Sequence, residues 1–194
     1  VFLKDKNWIL VVIMAFLCLL TRDGMVLITL GISLSLLVRK EYLVSGLIAL
    51  MSLAWIAFLA LVLYPSLGKS GDAIHAVGRY SHLGSSLSDF LERLFAQPVD
   101  LIQQTQPLNN IFYLIILFAP FVFLIFRSDK SILLGIFPLV LSNLLSSSFS
   151  QKTLIHHYSL PAVLIIIVST ITCSNLKPGH VRYGGKYYFV LVGL

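Results

Sequence analysis

Two adjacent charged residues, Arg22 and Asp23, lie inside a segment from Asn7 to Val38 that is otherwise uncharged and mostly apolar. Each charge at the centre of a lipid bilayer would cost roughly 2.5 to 3.5 kcal/mol on insertion scales. A carboxylate can take up a proton, and a guanidinium can bind a phosphate. Two interpretations therefore stay open for the pair: mutual neutralisation in a tight turn, or a role in binding at a recessed cavity.

A second polar stretch, His156-His157-Tyr158, precedes the apolar segment that begins near residue 160. Neighbouring histidines on a helix point about 100° apart, so the two rings cannot easily share one ligand. No His-x3-His or Cys-x2-Cys spacing supports a metal site, and none is predicted. The alternatives are hydrogen bonding to a polar or phosphate-bearing ligand, hydrogen bonding to Asp23, and capping at a membrane interface. Tyr158 could equally be an aromatic anchor there.

The composition is that of a membrane protein. Hydrophobic residues make up 58% of the 194 residues and charged residues 11%, whereas a soluble domain carries about 25% charged residues. The formal charge of +6 could suggest a nucleic-acid partner, but the basic residues flank apolar runs and form no stripe. We therefore expect membrane lipid, and no nucleic acid, as a partner. Cys18 and Cys173 both lie in apolar segments, which favours neither a disulfide framework nor a zinc site.

The apolar segments predict an all-α polytopic fold with about six transmembrane helices and a truncated seventh. They cover residues 8–20, 25–38, 43–64, 111–126, 132–145, 160–173 and 187–194. We expect one membrane domain over residues 1–194, as a fragment of a longer chain, because the sequence begins without methionine and ends inside an apolar run.

The basic residues predict the orientation of these segments. Assigning alternate connections to opposite sides gives one side nine lysines and arginines: Lys4, Lys6, Arg39, Lys40, Arg127, Lys130, Lys177, Arg182 and Lys186. The other side has five: Arg22, Lys69, Arg79, Arg93 and Lys152. Because cytoplasmic loops are enriched in Lys and Arg, the first side is predicted to be cytoplasmic. The protein would then lie in the plasma membrane with loop 68–110 outside.

A turn at Arg22-Asp23-Gly24 follows from this orientation. One continuous helix over residues 8–38 would be about 46 Å long and would carry its charges near the bilayer midplane. A hairpin instead returns both basic ends to the cytoplasm, and Gly24 supplies a permissive backbone. Each arm provides only roughly 20 Å of helix against a hydrocarbon core of roughly 30 Å. The turn is therefore predicted to lie below the outer surface, where irregular backbone must pack in protein or line a wet cavity.

The outer loop contains a predicted amphipathic helix at the membrane interface. Its apolar residues are Leu87, Phe90, Leu91, Leu94 and Phe95. Ser86 and Asp89 stand in a capping-box-like relation, and Pro98 follows the predicted end. The alternative interpretation is a structural lid or strut.

The order of three motifs resembles a known family. They are the acidic turn "LTRDG" after a short helix, the Tyr-x-x-Leu-Gly stretch at Tyr80–Gly84, and the His-Tyr-Ser-x-Pro stretch at His157–Pro161. Together they resemble a family of predicted multi-pass bacterial and archaeal membrane proteins of unknown function, which is grouped with the GT-C glycosyltransferase superfamily. The resemblance covers about Leu19 to Ser169.

The resemblance implies a GT-C-like fold and a donor sugar on a polyprenyl phosphate, transferred at the extracytoplasmic face. Its usual base is an acidic residue of the first outer loop. That loop would precede Val1, so the catalytic residue is unknown here and Asp23 is a candidate. Arg22, Arg79 or Lys152 would stabilise the leaving phosphate, and a divalent metal stays open as a cofactor. The predicted substrate-binding residues are Arg22, Asp23, Arg79, Tyr80, His82, Lys152, His156, His157 and Tyr158.

Three functions remain as hypotheses: a GT-C-like membrane glycosyltransferase or part of one, a transporter or permease with a recessed outer cavity, and a non-catalytic membrane scaffold. A transporter would be favoured by a repeated helix-break motif, and no second Thr-Arg-Asp-Gly occurs in the sequence. The glycosyltransferase is the leading interpretation. It predicts that Asp23 and the stretch His156–Tyr158 share one cavity at the outer face.

Overall fold

A computed structural model of the chain describes residues 7–67, 79–84, 87–126, 128–153 and 157–174. These residues form an all-helical structure with no strand among them. The helices are α1 (Trp8–Thr21), α2 (Val26–Val38), α3 (Tyr42–Ser66), α4 (Leu87–Ala96), α5 (Pro98–Gln104), α6 (Pro107–Phe118), α7 (Val122–Ile125), α8 (Lys130–Leu133), α9 (Phe137–Leu145) and α10 (Leu160–Ser174). Single 3-10 turns lie at Asp23–Met25, Ser81–Leu83, Ala119–Phe121, Leu134–Ile136, Phe149–Lys152 and His157–Ser159.

One helix of the described ranges, α3, is long and apolar enough to cross a membrane. It has 25 residues, which corresponds to about 38 Å of helix, and it passes through a π-helical turn at Leu59–Leu63. The shorter apolar helices are Trp8–Thr21, Asp23–Val38, Pro107–Phe121, Lys130–Leu145 and Leu160–Ile171. The all-helical fold is thus confirmed, whereas six complete spans are not, and segment 187–194 lies outside the described residues.

The predicted break between the first two apolar segments is present. Helix α1 ends at Thr21, and Arg22 has an extended backbone with φ −166° and ψ 149°. The backbone N–H of Gly24 donates to the Asp23 carboxylate at 2.8 Å, which stabilises the turn. Val11, near the start of α1, shares a buried cluster with Leu36, near the end of α2. The two helices are therefore antiparallel, as a hairpin requires.

Helix α2 packs on α3 through small hydroxyl side chains. The hydroxyls of Thr29 and Ser52 form a buried hydrogen bond of 2.7 Å, and the Ser33 hydroxyl donates to the Ser45 carbonyl at 2.8 Å. Because these pairs satisfy each other inside an apolar bundle, they avoid the cost of an unpartnered buried hydroxyl. They also fix the antiparallel alignment of the two helices.

The side of α2 that faces away from α3 contacts the 3-10 turn between α8 and α9. The contact is made by Gly31 and Gly135. A Cβ added to Gly31 would lie 1.8 Å from the carbonyl oxygen of Gly135. No side chain fits in that space, so the approach of the two backbones requires glycine at this position. Helix α2 is thereby held between α3 and the α8–α9 segment.

The second core cluster joins α6, α9 and α10. Its buried members are Tyr113, Leu117, Ile136, Leu139, Val140, Ala162 and Ile166. Residues of α2 pack against its edge, so α2 connects this cluster with the one formed by α1, α2 and α3. Because lipid tails are as apolar as these side chains, close van der Waals packing, and not removal from water, stabilises the cluster.

The connections after α2 and before α8 meet at one end of the bundle, which we call the Asp129 end. The Arg39 guanidinium lies 2.6 Å from the Asp129 carboxylate and also donates to the Ser131 hydroxyl at 2.6 Å. Burial alone would raise the pKa of Asp129, but the Ser131 hydroxyl and the Arg39 charge outweigh it and hold that pKa below its usual value. Asp129 also caps α8 through the backbone N–H of Ser131.

Candidate functional site

The opposite end of the bundle, called the Asp23 end, brings two arginines onto one tyrosine ring. The guanidinium carbon of Arg79 lies 5.0 Å from the centre of the Tyr158 ring, and that of Arg22 lies 5.9 Å from the same centre. Both distances fall within the range of a cation–π contact. A terminal nitrogen of Arg79 also donates to the Tyr158 hydroxyl oxygen at 3.0 Å. Three segments far apart in sequence therefore converge here.

Asp23 lies beside this group at the surface. Its carboxylate is 3.7 Å from Nε of Arg22, and the two side chains keep 54% and 49% of their surface exposed. The Tyr64 hydroxyl, from the end of α3, donates to the other carboxylate oxygen at 3.3 Å. Because the contact with Arg22 is long and exposed, it leaves the guanidinium free to take another anion.

The segment 79–84 is anchored to the connection between α9 and α10. The backbone N–H and the hydroxyl of Ser147 donate to the Arg79 carbonyl at 2.9 and 3.0 Å. The Tyr80 hydroxyl and the Ser142 hydroxyl are 2.6 Å apart. These bonds fix the backbone that carries Arg79, so its guanidinium is positioned by the fold as well as by Tyr158.

Lys152 lies deeper in the same end of the bundle. Only 3% of its surface is exposed, and its ammonium donates to the Thr105 carbonyl. Burial lowers the pKa of Lys152 to about 8, because desolvation penalises the charged form. The Lys152 ammonium therefore holds the connection between α9 and α10 against Thr105, which lies between α5 and α6. It is covered from solvent.

The residue before α6, Gln106, has a left-handed backbone with φ 56°. Its side-chain amide nitrogen donates to the Ser147 carbonyl at 2.9 Å, and its amide oxygen accepts from the side chain of Asn109 at 2.8 Å. Non-glycine residues with a positive φ are uncommon, and they persist where neighbouring contacts stabilise that backbone conformation. Gln106 thus joins the start of α6 to the same serine that anchors Arg79.

His82 lies in the 3-10 turn that follows Arg79. Burial lowers the pKa of its imidazole, the nearby Lys152 charge lowers it further, and the Leu145 carbonyl partly opposes this change. The ring is therefore neutral near pH 7. Among the described residues, neither ring nitrogen has a hydrogen-bond partner of normal geometry.

A fully buried polar trio lies beneath the site and was not foreseen from the sequence. The side chain of Asn143 donates to the Tyr113 hydroxyl at 2.9 Å, and Ser159 donates to the same oxygen at 3.3 Å. Ser159 directly follows Tyr158, so its hydrogen bond to Tyr113 fixes the backbone next to Tyr158. Its members are ordinary residues of apolar segments, and no local sequence signal connects them.

The structure brings together most of the residues that the sequence singled out. Exposed Arg22 and Asp23 and half-buried Arg79 and Tyr158 form one group, which we call the Arg22–Arg79 site. Tyr80, His82 and Lys152 lie at the same end of the bundle, in the segments that support this site. His156 lies outside the described residues, and His157 is described only as the start of a 3-10 turn.

The metal-binding potential of this end is low. The described ranges contain no group of three or more His, Cys, Asp or Glu residues placed to hold an ion. At the Arg22–Arg79 site the Asp23 carboxylate faces a guanidinium, which is the partner of an anion and repels a cation. Among the described residues, those at this end therefore do not fit a resident divalent metal.

The sequence profile of DUF2079, a family described as predicted membrane proteins, matches residues 1–183. The chain belongs to this family. The expected membership of a family of predicted membrane proteins of unknown function is therefore confirmed, and a lipid environment agrees with that description. No match is found among curated proteins or among solved structures.

Proposed function

We propose that this DUF2079 protein is a GT-C-like membrane glycosyltransferase, or the part of one that binds the phosphate of a polyprenyl-phosphate-linked sugar. The observation that carries the proposal is the convergence of the Arg22 and Arg79 guanidiniums on the Tyr158 ring. Two permanently charged, planar groups at one partly exposed site form an arrangement suited to phosphate oxygens.

The charge of the site supports an anionic ligand. Arg22 and Arg79 contribute two positive charges and Asp23 one negative charge, so the group carries a net positive charge. The Tyr64 hydroxyl binds the Asp23 carboxylate, and this contact draws the carboxylate towards α3. Both guanidinium carbons lie within 6 Å of the Tyr158 ring centre, and an incoming phosphate would displace no buried ion pair, because the contact of Arg22 with Asp23 is exposed.

The proposed orientation places the Asp23 end at the extracytoplasmic side of the plasma membrane, in a multi-pass protein. Its support is the excess of lysine and arginine in the alternate connections. Arg39 of one such connection is bound to Asp129 of another, which agrees with the assignment of both connections to one side. A lipid-linked donor would then reach the site from the outer leaflet.

The proposed reaction forms a bond between an acceptor hydroxyl oxygen and the anomeric carbon of the donor sugar. The bond from that carbon to the phosphate oxygen breaks, and the lipid phosphate leaves with the electron pair. A carboxylate takes the hydroxyl proton, and Asp23 is its candidate in this chain. Arg22 and Arg79 stabilise the charge that develops on the phosphate.

The test is sugar transfer from undecaprenyl-phosphate-linked hexoses by the full chain in liposomes. Losing one charge-assisted contact should weaken donor affinity about tenfold to a hundredfold in Arg22→Gln and in Arg79→Gln. Lys130→Gln, which removes one positive charge at the Asp129 end, is the control and should leave donor affinity unchanged. Unaltered donor affinity in both arginine variants at equal expression would refute the phosphate role, and donor movement across the bilayer without transfer would favour a permease.

A further inference from the structure

The two short helices α4 and α5, in the connection between α3 and α6, present apolar side chains to the outside of the molecule. Phe95 of α4 keeps 82% of its surface exposed, and Val99 and Ile102 of α5 keep 63% and 56%. A single exposed apolar residue is common on any protein and needs no explanation. These three form a pattern, because the polar side chains of the same helices face the other way.

Helix α5 has its polar side next to the protein. A narrow cleft, partly open to water, is lined there by His82, Arg93, Gln97, Asp100, Leu101 and Gln104. Leu101 is the buried residue of α5 and marks the side on which the helix packs. Successive residues of a helix are about 100° apart, which places Val99 and Ile102 on the side away from Leu101. The apolar side of α5 is therefore not packed on the described part of the chain.

Helix α4 is oriented in the same way. The Arg93 guanidinium lies 3.1 Å from the Asp89 carboxylate and donates to the His82 carbonyl at 3.3 Å. The polar side of α4 thus faces the 79–84 segment. Phe95 follows Arg93 by two residues and so lies on the opposite side of the helix. An amphipathic helix of a soluble protein packs its apolar side on the core, whereas these two helices hold theirs outwards.

The apolar surface of α6 continues this outward side. Helix α5 contacts both α4 and α6, and only two residues separate α5 from α6. The first turns of α6 expose Leu108 at 71% and Phe112 at 61%. In a protein of a predicted membrane family, an apolar helix with such an exposed side faces lipid. The same lipid is then adjacent to the outward side chains of α5 and α4.

We propose that α4 and α5 form a docking surface for the lipid leaflet at the Asp23 end, with Phe95, Val99 and Ile102 inserted between the lipids. Helices that lie in the interface bury their apolar side about 5–10 Å into the boundary between headgroups and acyl chains. The polar side then stays with the hydrated headgroups, where the cleft is open to water. Because Asp89 neutralises Arg93, the docking depends on the apolar side chains and needs no anionic lipid.

This inference goes beyond the proposed function and stands without it, because it uses neither phosphate recognition nor sugar transfer. It also has a consequence for the Arg22–Arg79 site. The bond from Arg93 to the His82 carbonyl joins α4 to the segment that carries Arg79. Docking of α4 and α5 on lipid would therefore hold that segment at the level of the headgroups.

The experiment is electron paramagnetic resonance of the full chain in vesicles of phosphatidylcholine alone. A nitroxide label is attached to one cysteine at a time in a cysteine-free background, in Val99→Cys, Ile102→Cys and Gln103→Cys. Molecular oxygen concentrates among acyl chains, whereas a neutral nickel chelate stays in water. The labels at positions 99 and 102 should relax more with oxygen than with the chelate. Gln103 is the matched control, an exposed polar neighbour on the same helix, and its label should relax more with the chelate.

Three results would overturn the proposal, with helix content by circular dichroism equal in all variants. A stronger response to the chelate at positions 99 and 102 would place this surface in water. A response to neither reagent would show that protein covers it, either another part of the chain or a second copy. The same preference for oxygen at position 103 would show that α5 has no side directed to lipid. The assay measures no donor binding, so its failure is distinguishable from failure of the phosphate proposal.

Discussion

The contact between Gly31 and Gly135 makes the position of the Arg22–Arg79 site sensitive to a single methyl group. In Gly31→Ala the new Cβ would lie 1.8 Å from the Gly135 carbonyl oxygen. That atom belongs to the backbone and cannot rotate away, so α2 must separate from the α8–α9 segment. Since Arg22 and Asp23 immediately precede α2, the separation should also displace Arg22 from the Tyr158 ring.

The expected free-energy change combines two opposite effects. Overpacking typically costs about 1 to 3 kcal/mol, and a clash with backbone falls at the upper end of that range. Replacing glycine by alanine in a helix returns roughly 0.5 to 1 kcal/mol. Gly31→Ala should therefore destabilise the protein by about 2 kcal/mol. Gly135→Ala should destabilise it less, because its Cβ would lie 3.3 Å from the Gly31 carbonyl oxygen.

Gly46→Ala is the matched control within α3. A Cβ at Gly46 would meet no atom within 4 Å, so only the helix-propensity gain remains and the variant should be slightly more stable than the wild type. The assay is thermal unfolding of the full chain in one detergent, with helix content checked at low temperature. A Gly31→Ala variant as stable as Gly46→Ala would refute the close approach of the two backbones.

Three further predictions concern Lys152, Asp129 and the orientation of the bundle. The pKa of Lys152 is lowered to about 8 from 10.5, so the unfolded state binds more protons between these pH values, and stability should rise with pH across that window. Lys152→Met should abolish this rise in the unfolding temperature. The same dependence of unfolding temperature on pH in wild type and variant would contradict the buried ammonium. Asp129→Asn should keep a helix cap but lose the charge that faces Arg39. This loss should lower the free energy of unfolding by about 1.5 to 3 kcal/mol, and an unchanged denaturation midpoint would show that the ion pair contributes nothing. In a cysteine-free background, Gln103→Cys should react with an impermeant maleimide in intact cells and Lys130→Cys only after lysis, and the reverse result would invert the orientation.

The local features of the fold were predictable from the sequence. The break at residues 22–24 followed from two charges and a glycine in an apolar run, and α2 (Val26–Val38) and α3 (Tyr42–Ser66) lie close to the expected segments 25–38 and 43–64. The amphipathic α4 was also expected. These features depend on near neighbours in the chain, where hydrophobic periodicity and turn chemistry act directly.

The second short helix, α5, was missed because Pro98 was interpreted only as the residue that follows the end of α4. In the structure Pro98 also begins the next helix, where its missing N–H is harmless and its fixed φ suits the first turn. The sequence alone does not distinguish a proline that ends a helix from one that starts another.

The long-range contacts of the site were not predictable. Arg79 meets Tyr158 across 79 residues of sequence, and no local pattern specifies that pairing. Lys152 was one of three cations that the family resemblance suggested for a leaving phosphate. Its burial on the Thr105 carbonyl depends on where that connection packs, which a single sequence does not reveal.

The central claim, phosphate recognition at the Arg22–Arg79 site, is tested most directly by comparing two lipids that differ only in the phosphate. The measurement is the affinity of the full chain in nanodiscs for undecaprenyl phosphate and for undecaprenol, in the wild type and in the double variant Arg22→Gln/Arg79→Gln. We predict that the wild type binds the phosphate at least about tenfold more tightly and that the double variant loses this preference. Equal affinities of the wild type for the two lipids would contradict the account.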